Sequence, residues 1–301
     1  MTRILVTGAS GFIGRALVSS LARSHQVRAG VRRPVAVGTF PDNVEVAIHS
    51  DLRTLVDWPP LLSGVDKVVH LAGIAHAGGQ VADAAYDRVN CRATNELALA
   101  AAEVGVERLV FVSSIGAQSG PSVAHVLTEN DEPTPATAYG RSKLTAEIAV
   151  RSSGVPFTIL RPVLVYGPGV GGNMQSLIRL AALPLPLPLA GFTNRRSLLA
   201  LDNLIGAIAF VLANDATLGG TFIVADPTPI RVADIVVSLR TRKGQNAKLF
   251  HLPPAFCKQV LEWLGQAEMW ERLGGSLVAD PRKLIEAGWR PLGDTQSLLL
   301  R

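Results

Sequence analysis

The sequence predicts an α/β fold: a doubly wound parallel sheet followed by a smaller C-terminal α/β region. Three observations predict it. Short runs rich in Val, Ile and Leu alternate with helical patterns through the first half of the chain. Those runs lack strict polar–apolar alternation, which marks strands covered on both faces. The first run feeds directly into a glycine-rich turn and an apolar helix. Repeated β-α-β order requires right-handed crossovers, and ligands of such sheets bind beyond the carboxyl ends of the strands.

The first strand is expected at 4–7, and Gly8-Ala9-Ser10-Gly11-Phe12-Ile13-Gly14 follows it. Gly8 suits a tight turn. Gly11 lets the main chain approach phosphate oxygens without a Cβ in the way. Gly14 lets the helix pack close to the sheet. A dinucleotide pyrophosphate would then rest on free N–H groups at the positive end of the helix. Further strands are expected at 27–31, 44–47, 67–71, 109–113 and 158–160, with helices at 12–24, 84–104 and 138–152. After Pro162 the texture changes. Gly167-Pro168-Gly169 and Gly171-Gly172 interrupt the pattern, and a proline ladder occupies 183–189. A helix near 202–213 and a strand-like stretch at 220–225 follow. This order predicts a dinucleotide-binding domain over 1–165 and a substrate-binding region over 166–301, partly threaded back to the main sheet.

Composition narrows the class. The chain has 301 residues, 48% hydrophobic and 18% charged, which excludes disorder and fits a well-buried enzyme. Cys91 and Cys257 have no metal or redox spacing and read as buried thiols in a reducing compartment. The net charge of +5 is spread out, with no basic block for nucleic acid, and suits an anionic small ligand. A strand that begins by residue 3 leaves no room for a signal peptide. No apolar stretch reaches the ~20 residues of a membrane helix. The expectation is a cytoplasmic protein with neither a nucleic-acid nor a membrane partner. None of the six histidines lies in metal-ligand spacing, so no metal is expected; His76 is the one that could touch substrate. The four tryptophans read as packing residues.

Tyr139-Gly140-Arg141-Ser142-Lys143 carries the chemistry. Residues four apart share one face of a helix, so Tyr139 and Lys143 can share a site. A free tyrosine titrates near pH ~10. A neighbouring ammonium and an oxidised nicotinamide both stabilise the phenolate, making Tyr139 a proton donor or acceptor for an alcohol oxygen. Ser114, at the end of a strand, would polarise the same oxygen.

With these residues in order, the chain resembles the extended short-chain dehydrogenase/reductase family. His70-Leu71-Ala72-Gly73, Arg161-Pro162, Val165-Tyr166-Gly167-Pro168, Arg196-Ser197-Leu198 and Leu201-Asp202-Asn203-Leu204 extend the likeness over nearly the whole chain. It implies a Rossmann-type fold. It also implies that Gly8, Ser10, Gly11, Phe12, Ile13 and Gly14 hold the pyrophosphate and that Asp51 and Leu52 lie against the adenine. Leu71, Ala72, Gly73, Pro162 and Val165 would border the nicotinamide half. Lys143 would bond the ribose, and Asn90 would support the active-site helices. Asn173, Arg196 and Arg272 stand where nucleotide-sugar enzymes of the family hold the sugar-nucleotide. Relatives also pair the helices at 84–104 and 138–152, which implies a homodimer.

Two finer expectations follow. The second strand ends Gly30-Val31-Arg32-Arg33, with no carboxylate for ribose hydroxyls, so Arg32 and Arg33 favour NADP(H), with NAD(H) the alternative. The residues after Ser114 are Ile115-Gly116-Ala117, which lack the extra acids of the family's dehydratases. The pattern looks most like bacterial reductases of UDP-4-keto-6-deoxy amino sugars. The alternatives are a UDP-hexose 4-epimerase, a steroid or lipid dehydrogenase, and a non-catalytic NADP-binding regulator.

Overall fold

The computed structural model describes residues 1–75, 81–263, 265, 270 and 274–300, with the side chains at 173, 260 and 261 outside that description. The first half contains β1 (Arg3–Thr7), α1 (Phe12–Leu21), β2 (Gln26–Val31), β3 (Val44–Ile48), α2 (Trp58–Leu62) and β4 (Lys67–His70). Then come α3 (Asp83–Tyr86), a π-helical turn (Asp87–Arg92), α4 (Ala93–Glu103), β5 (Arg108–Val112) and a 3-10 turn (Ile115–Ala117). β6 (Val126–Leu127), α5 (Ala138–Ser152), β7 (Phe157–Pro162) and β8 (Leu164–Tyr166) complete it. The second half contains α6 (Gly172–Ala182), β9 (Arg195–Arg196), β10 (Leu198–Ala200), α7 (Leu201–Ala213), β11 (Thr221–Val224) and β12 (Ile230–Arg231). α8 (Val232–Arg242), α9 (Pro254–Trp263), β13 (Val278–Ala279), α10 (Arg282–Glu286) and α11 (Thr295–Leu299) end the chain.

Seven strands form one sheet in the order β11-β7-β5-β4-β1-β2-β3. Every pairing in it is parallel. Chain direction across the sheet reverses between β1 and β4, which opens a crevice at their carboxyl ends. The alternation of side chains sets the two layers. Ile4 and Val6 pack with Leu17 of α1 and with Leu204 and Ile208 of α7. Leu5 faces the other way, in a core with Trp58, Leu97, Leu109 and Ala146. A third core, around Met174, Leu187, Phe192 and Val236, belongs to the second half.

The six expected strands form within a residue or two of their predicted ends. The stretch at 220–225 supplies the edge strand β11, which pairs with β7. The helix expected at 84–104 is broken by the π turn. The helix expected at 12–24 stops at Leu21. α6, α8 and α9 are not among the helices the sequence predicts. Trp58 and Trp289 are buried, but Trp263 is 85% exposed, against the expectation that it packs. Cys257 is only half-buried.

Candidate active site

The glycine turn sits where the crevice opens. Gly8 has φ +68°, and a Cβ there would come within 2.9 Å of the Ala72 main chain. A Cβ on Gly14 would overlap the Gly8 carbonyl, so helix and turn meet backbone to backbone. Gly11 caps α1 in extended conformation with no side-chain cap, leaving first-turn N–H groups without a side-chain acceptor there. Those features fit an anionic diphosphate.

β4 continues the wall. His70 is fully buried between Thr7 Oγ1, 2.7 Å from Nδ1, and Thr94 Oγ1, 3.0 Å from Nε2. Burial, with the Lys143 charge second, pushes its pKa down to about 3. It is therefore a neutral spacer. Beyond Leu71, Ala72 meets the Gly8 turn and Gly73 lies near Lys143. A Cβ on Gly73 would stand 2.8 Å from Asn90 Oδ1 and 3.8 Å from Lys143 Nζ. Asn90 belongs to the π turn. Its Nδ2 donates to the Ile74 carbonyl and to Ser142 Oγ, and its Oδ1 accepts from Ile74 N–H. It thereby ties the β4 loop to α5. π turns recur at functional sites because they re-aim side chains.

α5 begins at Thr137, whose hydroxyl accepts from Gly140 N–H at 3.0 Å. Gly140 packs on the Gly116 carbonyl with no room for a Cβ, which draws α5 against the 3-10 turn. That approach brings Tyr139 to Ser114, and the two side chains are hydrogen-bonded. Ser114 Oγ also accepts from Gly116 N–H at 3.1 Å. One turn further on, Lys143 is buried. Its ammonium donates to the Val112 carbonyl at 3.0 Å and lies 4.7 Å from the Phe111 ring centroid. Ser114, Tyr139 and Lys143 thus converge at the carboxyl end of β5.

The electrostatics correct one expectation. Burial raises the Tyr139 phenol above its ordinary value, partly offset by the Ser114 hydrogen bond and reinforced by Tyr86. The acidification expected from Lys143 is not among the influences on Tyr139 in the protein alone, where desolvation of the phenolate dominates. Lys143 is itself pushed down to about 8 by burial, against the opposing charge of Glu147.

Glu147 was missed in the sequence, though it lies four residues after Lys143 on the same helix face. Its fully buried carboxylate accepts from Ser113 Oγ at 2.6 Å and from Arg161 at 2.9 and 2.6 Å. Arg161 also donates to Gln118, whose amide donates to the Thr128 and Asp131 carbonyls. This lattice fixes the strand end that carries Ser114.

The remaining predicted residues are placed as follows. Leu52 is buried, and Asp51 is partly exposed. Asp51 is held below the usual carboxylate range by the Arg53 backbone N–H and by Arg32. Arg32 and Arg33 are both exposed just after β2, but Arg32 is 3.2 Å from Asp51. A carboxylate therefore does stand beside that strand end, reached from β3 rather than β2. Leu71 and Val165 pack against the sheet core. Arg196 is half-buried in β9, with its pKa lowered by burial. Arg272, His76 and the side chain of Asn173 lie outside the described residues. Among the described residues no cluster of three His, Cys, Asp or Glu could hold a metal ion, and no helix is long and apolar enough to cross a membrane.

A parallel seven-stranded sheet with a glycine turn at its switch point defines a dinucleotide-binding enzyme fold. The sequence model of the NAD dependent epimerase/dehydratase family matches residues 4–225, and the chain belongs to that family, within the extended short-chain dehydrogenases/reductases. It is 32% identical to a UDP-glucose 4-epimerase of Vibrio cholerae over 96% of this chain and 90% of that protein. It is 30% identical to a 3-diazoavenalumate denitrifying reductase of a Streptomyces species over 96% of both chains. Among solved structures it superposes on MoeE5 in complex with UDP-glucuronic acid and NAD, with a TM-score of 0.77 and 26% identity, over 99% of this chain and 96% of that one.

Proposed function

We propose that this enzyme catalyses hydride exchange at C4 of a nucleotide-activated hexose, using a nicotinamide dinucleotide. One observation carries the reading: Ser114, Tyr139 and Lys143 converge at the end of β5, and Lys143 lies beside Gly73, which adjoins the glycine turn through Ala72. Gly8, Ser10, Gly11, Phe12, Ile13 and Gly14 would hold the diphosphate. Asp51 and Leu52 would hold the adenine. Leu71, Ala72, Gly73, Asn90, Pro162 and Val165 would border the nicotinamide ribose and ring. Once bound, the cofactor supplies or accepts the hydride.

The chain's own residues manage the proton. Ser114 orients the C4 oxygen, and Tyr139 Oη gives it a proton or takes one. Lys143 brings a positive charge that favours the phenolate when Tyr139 is deprotonated. Asn173, Arg196 and Arg272, from the region 166–301, would bind the sugar-nucleotide, guanidinium groups being suited to a diphosphate. The complex of MoeE5 with a UDP-sugar and NAD supports this substrate class. Leu99 and Ile148, half exposed on α4 and α5, support a homodimer through those helices.

The direction we favour is reduction of a UDP-4-keto-6-deoxy-hexose or its amino sugar by NADPH, in the cytoplasm. Arg32 and Arg33 support a 2′-phosphate, although Asp51 offsets part of that attraction. The second reading is 4-epimerisation, favoured by the Vibrio cholerae relative. Cofactor stoichiometry separates the two. One NADPH oxidised per UDP-4-keto-6-deoxy sugar supports the reductase. Interconversion of UDP-hexoses with no net cofactor consumption transfers the assignment to the epimerase. Activity toward neither substrate refutes both. Tyr139→Phe should lower kcat by about 10²–10⁴-fold with cofactor affinity retained; unchanged turnover removes Tyr139 from the mechanism.

A further inference from the structure

The second half of the molecule holds an apolar ladder outward. Leu183 and Leu185 are 45% and 62% exposed, with Pro184, Pro186 and Pro188 between and after them. Prolines supply no N–H, so this stretch cannot bond itself into a helix or strand. Arg240 does the work instead. It is buried, and its guanidinium donates to the carbonyls of Ala181 (3.0 Å), Leu183 (3.0 Å), Leu185 (2.9 Å), Ala247 and Lys248 (3.4 Å). Leu187 N–H donates to the Lys248 carbonyl and the Leu187 carbonyl accepts from Phe250 N–H, which straps the ladder to residues 247–250. Within that strap Lys248 takes φ 41°, the one left-handed non-glycine residue among those described. α9 completes the surface. Its Cys257 lies 3.9 Å from the Pro188 carbonyl. Phe256 and Trp263, seven residues apart on one helix face, are 53% and 85% exposed, and Phe250 is 43% exposed.

The charges along these segments are mostly positive. Residues 183–189 carry no charge, and residues 241–263 carry Arg242, Lys243, Lys248 and Lys258 against a single carboxylate, Glu262. All four cations are exposed, and Glu262 is 3.8 Å from Lys258.

We propose that this face, built from the proline ladder, residues 247–250 and α9, rests on an anionic lipid surface. Leucine, phenylalanine and tryptophan side chains interspersed with lysines are what a headgroup region accepts, with the rings at the boundary and the cations on the phosphates. A protein interface favours fewer lysines. A second copy meeting this face about a twofold axis would bring the same cations together. The expectation of no membrane partner rested on span length, which governs crossing a bilayer and not lying against one. The inference is independent of the reaction proposed above.

Flotation of the full chain with vesicles tests it. The protein should float with phosphatidylglycerol–phosphatidylcholine vesicles at low salt. The bound fraction should fall at least about fivefold on pure phosphatidylcholine or in 0.5 M salt, roughly as expected for a screened contact. Leu185→Glu with Trp263→Ser should abolish flotation while the thermal midpoint stays unchanged. Lys248→Glu with Lys258→Glu, which alters only exposed side chains of those elements, should do the same. No flotation on anionic vesicles overturns the proposal, and so does equal flotation of both double variants. A double variant that turns a dimer into a monomer in sedimentation also overturns it, because the face is then a contact between copies.

Discussion

Glu147 and Arg240 are both buried charges, and the two halves of the molecule use them differently. In the sheet half, the Glu147 carboxylate meets side chains: Ser113, Arg161 and Arg151. In the second half, Arg240 meets only backbone carbonyls from two segments. The first arrangement locks the positions of side chains at a strand end. The second holds main chain that has no regular structure of its own. A site that must align three side chains benefits from the first kind of rigidity, while a surface that must present apolar groups needs only the second.

The sharpest way to break this contrast is Glu147→Gln. It keeps the shape but leaves Arg161 buried without a countercharge, and should cost about 3–5 kcal/mol in urea unfolding. Arg240→Met should cost about 1–3 kcal/mol, since the released carbonyls near the surface can take water. If Arg240→Met proves the costlier, the two halves depend on buried charge in the opposite order. Acid probes the sheet half through His70. His70 is neutral when folded, with a pKa of about 3, and the unfolded chain gains its proton below 6.5. Stability should therefore fall as pH drops from 6.5 toward 3, by about 1.4 kcal/mol per unit for this one group. His70→Asn should flatten that slope in urea melts between pH 6 and 4. The smallest effect is expected at the surface. Arg32→Ala breaks an exposed pair with Asp51 and should move stability by less than about 0.5 kcal/mol. The same change should weaken NADPH about tenfold and leave NADH nearly unaffected, as loss of one charge-assisted contact predicts. Equal loss for both cofactors would place Arg32 away from a 2′-phosphate.

The central strands could be read from the sequence because a strand buried on both faces writes itself as a run of Val, Ile and Leu. Gly8, Gly14, Tyr139 and Lys143 could be read because their spacing is local. The Glu147–Arg161–Gln118 lattice could not, since its members lie 14 and 43 residues apart and meet only when β5, α5 and β7 are assembled. The Arg32–Asp51 contact was hidden in the same way, across the loop between two strands. The π turn at Asp87–Arg92 left no mark in a stretch of ordinary helix formers. The upward shift of Tyr139 escaped because sequence spacing shows its neighbours but not how much water they exclude.

The sheet's outermost strand on one side, β11, is drawn from residues 221–224, after the chain has left for α6 and come back through α7. During synthesis, β7 therefore emerges from the ribosome with an open edge, and its partner follows some sixty residues later. At about 5–20 residues per second, that edge waits several seconds for closure. The nascent protein is open to mispairing in that interval, and a chaperone would have an edge to protect there.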